Sequence, residues 1–141
     1  MTALTDRRIL SYIKKKKLII SPFDDDTLTP NGYDLELEDW EIPAGKSKII
    51  MSKAKIELSA DMIAIPLLRS TYIYKGLILS PGIIDAGFKG RLKICMFNSS
   101  NKTVKPESGQ LGRPVHLLFL KTDGSPNVLF GHRHGERNDT Q

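Results

Sequence analysis

The chain has 141 residues, 40% of them hydrophobic and 26% charged, with a formal net charge of +5 and a pI near 9.4. Such a length fits one domain with its own core, and the composition excludes collagen-like, coiled-coil and disordered classes. A single cysteine excludes an intrachain disulfide and a multi-cysteine zinc site, while the positive charge favours anionic partners such as nucleotides.

The opening MTALTDRRILSY lacks the apolar stretch of a signal peptide, and no run approaches the ~20 apolar residues of a membrane span. The expectation is a soluble, cytoplasmic protein without a membrane partner. Ile9, Leu10 and Ile13 fall at helical spacing behind Thr5, a candidate N-cap, and Asp6 in the first turn. Leu4 and Ile9 suit a hydrophobic staple around that cap. Lys14 to Lys17 close the helix where positive charge suits its dipole. A solvated helix end is the favoured reading of these lysines, and without interleaved aromatics nucleic acid is not an expected partner.

Beyond residue 17 the chain breaks into short apolar or alternating runs separated by proline, glycine, asparagine and aspartate. The predicted strands are Leu18 to Ile20, Tyr33 to Leu37, Ser47 to Met51, Lys55 to Leu58, Met62 to Leu67, Leu77 to Leu79, Leu92 to Phe97 and Val115 to Leu120. Such spacing predicts a mainly β sandwich, jelly roll or barrel with a short N-terminal helix. DDDTLTPNG and PESGQLGRP read as loops, and SSNKT as a hairpin turn. The polar, glycine-rich sequence from Asp123 marks a tail, mobile unless a ligand or neighbour orders it, so residues 1–122 form the domain and 123–141 the tail.

Three stretches carry chemistry. In PGIIDAGFKG, Asp85 stands beside Ile83, Ile84 and Ala86, where burying a carboxylate is costly unless it is hydrogen-bonded or faces a wet cleft. Gly82, Gly87 and Gly90 permit sharp turns and close backbone approach to a ligand. Asp85 therefore either caps its own turn or is aimed at a ligand. In LLRSTYIYKG, Arg69 with Ser70 suits phosphate oxygens, against the plainer reading of a surface arginine beside a hydroxylated turn. In NGYDLELE, Asp34 is as well placed to partner an arginine as to act in catalysis. Farther on, alternation puts Cys95 on a strand face with Arg91, Lys93 and Phe97, either simply packed or bordering a cleft or subunit contact. His132 and His134 at i, i+2 fall short of a metal site.

The order of these motifs resembles the dUTPase and dCTP deaminase superfamily over almost the whole chain. LTDRRILSYIKKKKLIISPFDDDTLTPNGYDLEL is similar to the deaminase branch's opening, IPLLRSTYIYKGL to the family's RS motif, and GIIDAGFKG to its G-I-D-G-F-G motif. The resemblance implies a distorted β jelly roll assembled as a homotrimer, with sites between subunits, hydrolysing dUTP to dUMP and pyrophosphate. It implies that Asp85 activates a water for attack on the α-phosphorus and that Arg69 and Ser70 of a neighbouring subunit hold the triphosphate. Backbone of the hairpin from Leu79 to Gly87, including Gly82 and Ile84, would read the uracil edge, and Phe88 would lie against the deoxyribose. Asp34 would support the phosphate environment, and Mg2+ would be held mainly by substrate and water.

Departures from the pattern bear on the branch. The deaminase glutamate that shuttles protons at the pyrimidine amino group is replaced by Cys95, and the arginine expected five residues after Arg69 by Tyr74. A thiol does not substitute for that carboxylate, so dCTP deamination is not expected. Near PESGQLGRPVHLLF the family's compact G-R-Q pattern is two residues longer, with His116 where glutamine is expected. LFGHRHGE departs from the closing motif of trimeric dUTPases: Phe130 over a base and Arg133 on phosphates is one reading of it, a disordered tail the favoured one. The competing function is a noncatalytic relative that binds a deoxynucleotide or keeps only the scaffold.

Overall fold

The computed structural model describes residues 2–80 and 82–131; Pro81 in the expected base-reading hairpin and His132, Arg133 and His134 in the tail lie outside the described residues. In chain order the elements are β1 (Thr2–Ala3), α1 (Asp6–Lys14), β2 (Leu18–Ser21), β3 (Leu28–Thr29), β4 (Gly32–Leu35), β5 (Ser47–Leu58), β6 (Met62–Leu68), α2 (Ser70–Tyr74), β7 (Leu77–Leu79), β8 (Lys89–Asn98) and β9 (Val115–Lys121). Short 3-10 turns occupy Asp25–Thr27 and Gly109–Gly112, inside the two stretches expected to be loops.

The elements form two antiparallel sheets. In the first, β9 pairs along its whole length with β6, while its other edge is shared by β4 at Val115 to Leu117 and β1 at Leu120 and Lys121. The second runs β2, β5, β8, β7. Inward residues of both sheets, among them Leu35, Ile56, Met62, Met96, Leu117 and Phe119, close one core. The result is the mainly β, jelly-roll class expected, with the short helix at one end.

Helix α1 shows how local rules were met and missed. Thr5 occupies the N-cap position, but its side chain makes no cap bond; its carbonyl accepts from the Ile9 amide. Leu4 and Ile9 are both in the core, yet Leu10 is exposed and Tyr12 takes the inward position instead. The helix ends in a Schellman turn: the Lys17 amide donates to the Tyr12 carbonyl at 2.8 Å and the Lys16 amide to the Ile13 carbonyl at 3.0 Å, with Lys16 at φ 59°. Lys17 lies over the Tyr12 ring and 3.6 Å from Asp61, so part of the lysine run is structural.

The two strands expected at 47–51 and 55–58 are one strand, β5. Four residue steps from Met51 to Lys55 face two steps on β8, from Lys93 to Arg91. Two extra residues equal the side-chain period of a strand, so positions 50, 52, 54, 56 and 58 all stay inward. Buried Ser52 stitches the irregularity, accepting from the Leu92 amide and donating to the Ala54 carbonyl. SSNKT is not a hairpin between adjacent strands. Its backbone wraps buried Asn98, whose amide donates to the Ile42 and Lys102 carbonyls while its carbonyl accepts from Ser100, and the chain then bridges Val104 to Ile42.

No helix among the described residues is long and apolar enough to cross a membrane. The Schellman turn yields a prediction: because a side chain in the left-handed region costs about 1 kcal/mol relative to glycine, Lys16→Gly should stabilise the protein by ~0.5–1 kcal/mol. Urea denaturation checks it, and an unchanged or lower midpoint counts against the turn.

Candidate active site

The expected site residues fall into two clusters. The first is built at the β4, β9 and β6 junction. Asp34 on β4 is directly opposite His116 on β9, and His116 is opposite Leu67 on β6, two residues before Arg69. The Arg69 amide donates to the Pro114 carbonyl at 2.8 Å, tying the end of β6 to the start of β9. This geometry brings Asp34 Oδ2 within 3.4 Å of Arg69 Nε and Asp34 Oδ1 within 3.1 Å of His116 Nδ1. Asp34 thus partners an arginine, one of its two sequence readings. Arg69 Nη1 donates to the Gln110 and Arg113 carbonyls, both at 2.8 Å. These contacts hold the guanidinium through Nε and Nη1, and Nη2 has no hydrogen-bond or ion-pair partner among the described residues. Ser70 follows as the exposed first residue of α2.

The loop supplying those carbonyls is held by a residue the sequence did not single out. Tyr72 on α2 is fully buried; its hydroxyl donates to the Leu111 carbonyl and accepts from the Glu107 amide, and its ring packs edge-on against Trp40. Burial pushes its phenol above the ordinary pKa, keeping it a donor. Gly112 completes the loop, since a Cβ there would come within 2.5 Å of the Glu107 carbonyl. Arg113 turns away to Asp24 at 3.0 Å and Glu36 at 3.7 Å. Asp24, Asp25 and Asp26 lie close enough together to share a cation, but Asp24 is already spent capping the 3-10 turn and pairing Arg113.

The second cluster is the loop between β7 and β8. Ile84 is buried and exchanges backbone bonds with Ala64 of β6 at 2.8 and 3.0 Å, which turns the next side chain, Asp85, outward. The Phe88 amide donates to the Asp85 carbonyl across a turn with Gly87 at φ 84°, a type II geometry that requires glycine at that position. The Asp85 carboxylate is exposed and lines an open cavity of about 350 Å³ with Ile63, Asp123, Val128 and Leu129. Leu79 is half-buried at the end of β7, where Ser80 bonds to the Cys95 carbonyl, and Gly82 is exposed. Residues 123–131 return over this loop: the Phe130 amide donates to the Ala86 carbonyl at 2.8 Å, and the Phe130 ring meets Phe88 edge-on at 4.9 Å. In one chain, therefore, the ring considered for stacking on a base lies on Phe88.

No hydrogen bond or ion pair joins the two clusters among the described residues. Ala64, opposite Ile84, and Arg69 are five residues apart along extended chain, which separates them by about 16 Å. Cys95 is half-buried on the outer face of β8, paired with Ile49, and Tyr74 is 85% exposed.

The dUTPase family's sequence profile matches residues 17–123. The chain belongs to the dUTPase family. It is 42% identical over 135 residues, 84% of each chain, to a probable deoxyuridine 5'-triphosphate nucleotidohydrolase of Sulfolobus islandicus rod-shaped virus 1. It is also 29% identical over 140 residues to a dCTP deaminase of Thermococcus kodakarensis, covering 87% of this chain and 89% of that one. Among solved structures, the dUTPase of Streptococcus mutans superposes with a TM-score of 0.56 at 27% identity, covering 74% of this chain and 93% of that one. The matched residues include Asp34, Arg69, Asp85 and His116.

Tyr72→Phe tests how the arginine cluster is supported. Removing the hydroxyl leaves the Leu111 carbonyl and Glu107 amide without their partner, and the expected loss is about 1–2 kcal/mol. Amide hydrogen exchange should rise within residues 107–113 more than in β9. Exchange unchanged in that loop would show that its shape does not depend on Tyr72.

Proposed function

We propose that this chain hydrolyses dUTP to dUMP and pyrophosphate. The observation carrying the proposal is the pairing of two half-sites with complementary chemistry: an exposed carboxylate, Asp85, on a glycine-dependent turn lining an open cavity, and an arginine, Arg69, fixed by Asp34 and two carbonyls. The chain's 42% identity to a viral relative named for this activity supports the same reading.

In this mechanism Asp85 accepts a proton from a water whose oxygen attacks the α-phosphorus. The bond from the α-phosphorus to the bridging oxygen breaks, and pyrophosphate leaves with that oxygen. Arg69 and Ser70 hold the triphosphate and offset charge as it shifts toward the leaving group. Backbone at Leu79, Gly82 and Ile84 reads the uracil edge, and Phe88 packs on the sugar, where a 2′-hydroxyl is disfavoured. Asp34 acts through Arg69. The cavity beside Asp85 also holds the Asp123 carboxylate and the Thr122 and Ser125 hydroxyls, oxygen groups that suit a hard cation such as Mg2+ with most of its ligands from the triphosphate and water. Bound there, the ion would neutralise phosphate charge.

The separation of Asp85 from Arg69 favours a site completed between copies of the chain, and a homotrimer is the assembly we propose. The outer face of the second sheet offers a contact surface: Ile49, Ile78 and Phe97 are 65%, 55% and 40% exposed and adjacent by strand register, with Cys95 among them. Residues 1–122 constitute the catalytic domain and 123–141 a tail whose start docks beside the site; the enzyme is assigned to the cytoplasm. Deamination of dCTP is disfavoured because a thiol at Cys95 and a solvent-facing phenol at Tyr74 stand where a carboxylate and a guanidinium would be required. The deaminase relatives make dCTP the control substrate.

With Mg2+ and dUTP, wild type should release pyrophosphate, and Asp85→Asn should lower kcat by on the order of 10³-fold or more while still binding dUTP. Chelation should remove turnover and Mg2+ restore it. Binding of dUTP without turnover by wild type would favour the noncatalytic rival, and dUTP formed from dCTP would overturn the reading of Cys95 and Tyr74.

A further inference from the structure

We propose that His116 is a positioning residue for the triphosphate-binding arginine, acting through Asp34; the inference rests on the dUTP reading above. Three observations converge on it. Asp34 divides its carboxylate, with Oδ2 3.4 Å from Arg69 Nε and Oδ1 3.1 Å from His116 Nδ1. An ionised carboxylate only accepts, so Nδ1 carries the proton and the imidazole donates to Asp34. All three side chains are largely shielded, 13% exposed for Asp34 and 23% for His116 and Arg69, so the arrangement is less screened than a surface ion pair.

The second observation is that the fold reserves space for the ring. A Cβ on Gly32 would lie 2.5 Å from both His116 Cε1 and Nε2 and 2.3 Å from the Leu117 carbonyl. Gly32 ends the β3–β4 turn, where Thr29 pairs with Gly32, and its lack of a side chain lets the imidazole stand upright against β4. The third is register. His116 is opposite Asp34 on one side and Leu67 on the other, so it sits on the strand that joins the carboxylate to the segment carrying Arg69. With Nη1 committed to the Gln110 and Arg113 carbonyls, the remaining freedom of the guanidinium is rotation that would swing Nε away from Asp34. A carboxylate anchored from its far side opposes that rotation and holds the guanidinium in one orientation.

The test uses His116→Leu, which keeps bulk without a donor, and His116→Asn, whose amide can donate from nearly the same place as Nδ1. His116→Leu should raise KM for dUTP about tenfold, the effect of losing one charge-assisted hydrogen bond, with kcat within about twofold. His116→Asn should recover most of that loss, and His116→Leu should add little in an Asp34→Asn background. Without substrate, the Nε–H resonance of Arg69 should shift in His116→Leu and return toward wild type in His116→Asn. KM and the Arg69 resonance both unchanged in a folded His116→Leu protein would overturn the proposal, as would equal impairment of the Leu and Asn variants. Wild type that neither binds nor hydrolyses dUTP would instead remove the functional reading, while the Arg69 resonance would still report whether His116 sets the arginine.

Discussion

Strand β9 is the constraint on which the arginine cluster depends. It is the only described strand paired with three others: β6 holds one edge throughout, and β4 and β1 share the opposite edge end to end. Its register sets which residue of β4 faces which residue of β6. A slip by one residue would turn His116 inward and Val115 and Leu117 outward, because side chains alternate with period two. The buried Val115, Leu117 and Phe119 forbid that slip by loss of core area. Core packing and site geometry are thus one requirement: the same register buries three apolar side chains and directs an imidazole at a carboxylate.

The second cluster depends on β6 in a different way. The Ile84 to Ala64 bridge clamps the glycine loop to the middle of β6, whereas Arg69 leaves from its end. A single strand therefore carries the carboxylate loop and the arginine at a fixed spacing. The site between copies proposed above rests on this spacing. The turn itself needs glycine. At φ 84°, and with Leu129 2.9 Å from where a Cβ would be, Gly87 serves both the turn and the docking of residues 123–131.

Much of this was legible because strands announce themselves by period. The boundaries of β7 were read directly, and β2, β6 and β9 differ from expectation by one residue. The β5 break was misplaced for a specific reason: Ser-Lys-Ala interrupts the apolar alternation, but two inserted residues preserve it, so a bulge mimics a turn. SSNKT has turn composition, yet a buried Asn98 rather than strand pairing organises it, and composition does not reveal which asparagine is buried. Among the candidate site residues, local chemistry drew attention to Asp85 and Arg69 while leaving plainer readings open, and the order of the motifs, through the family resemblance, supplied their proposed roles. The partnership of Asp34 with Arg69 was left open, and Tyr72, Gln110 and the link from His116 to Asp34 were not visible, because each depends on register between segments 35 to 82 residues apart.

Cys95 and Tyr74 bear on chemistry through what the two reactions demand. Hydrolysis at phosphorus needs charge neutralisation, a positioned water and one base, all of which can be supplied at the triphosphate and the Asp85 loop. Replacing an amino group on a pyrimidine needs, in addition, a group beside the ring that gives and takes protons in sequence. A half-buried thiol on a strand face shared with Arg91, Lys93 and Phe97, and opposite Ile49, puts no carboxylate at that position. On the function proposed above, a scaffold related to both enzymes keeps the groups that phosphoryl transfer calls for and lacks a carboxylate at residue 95.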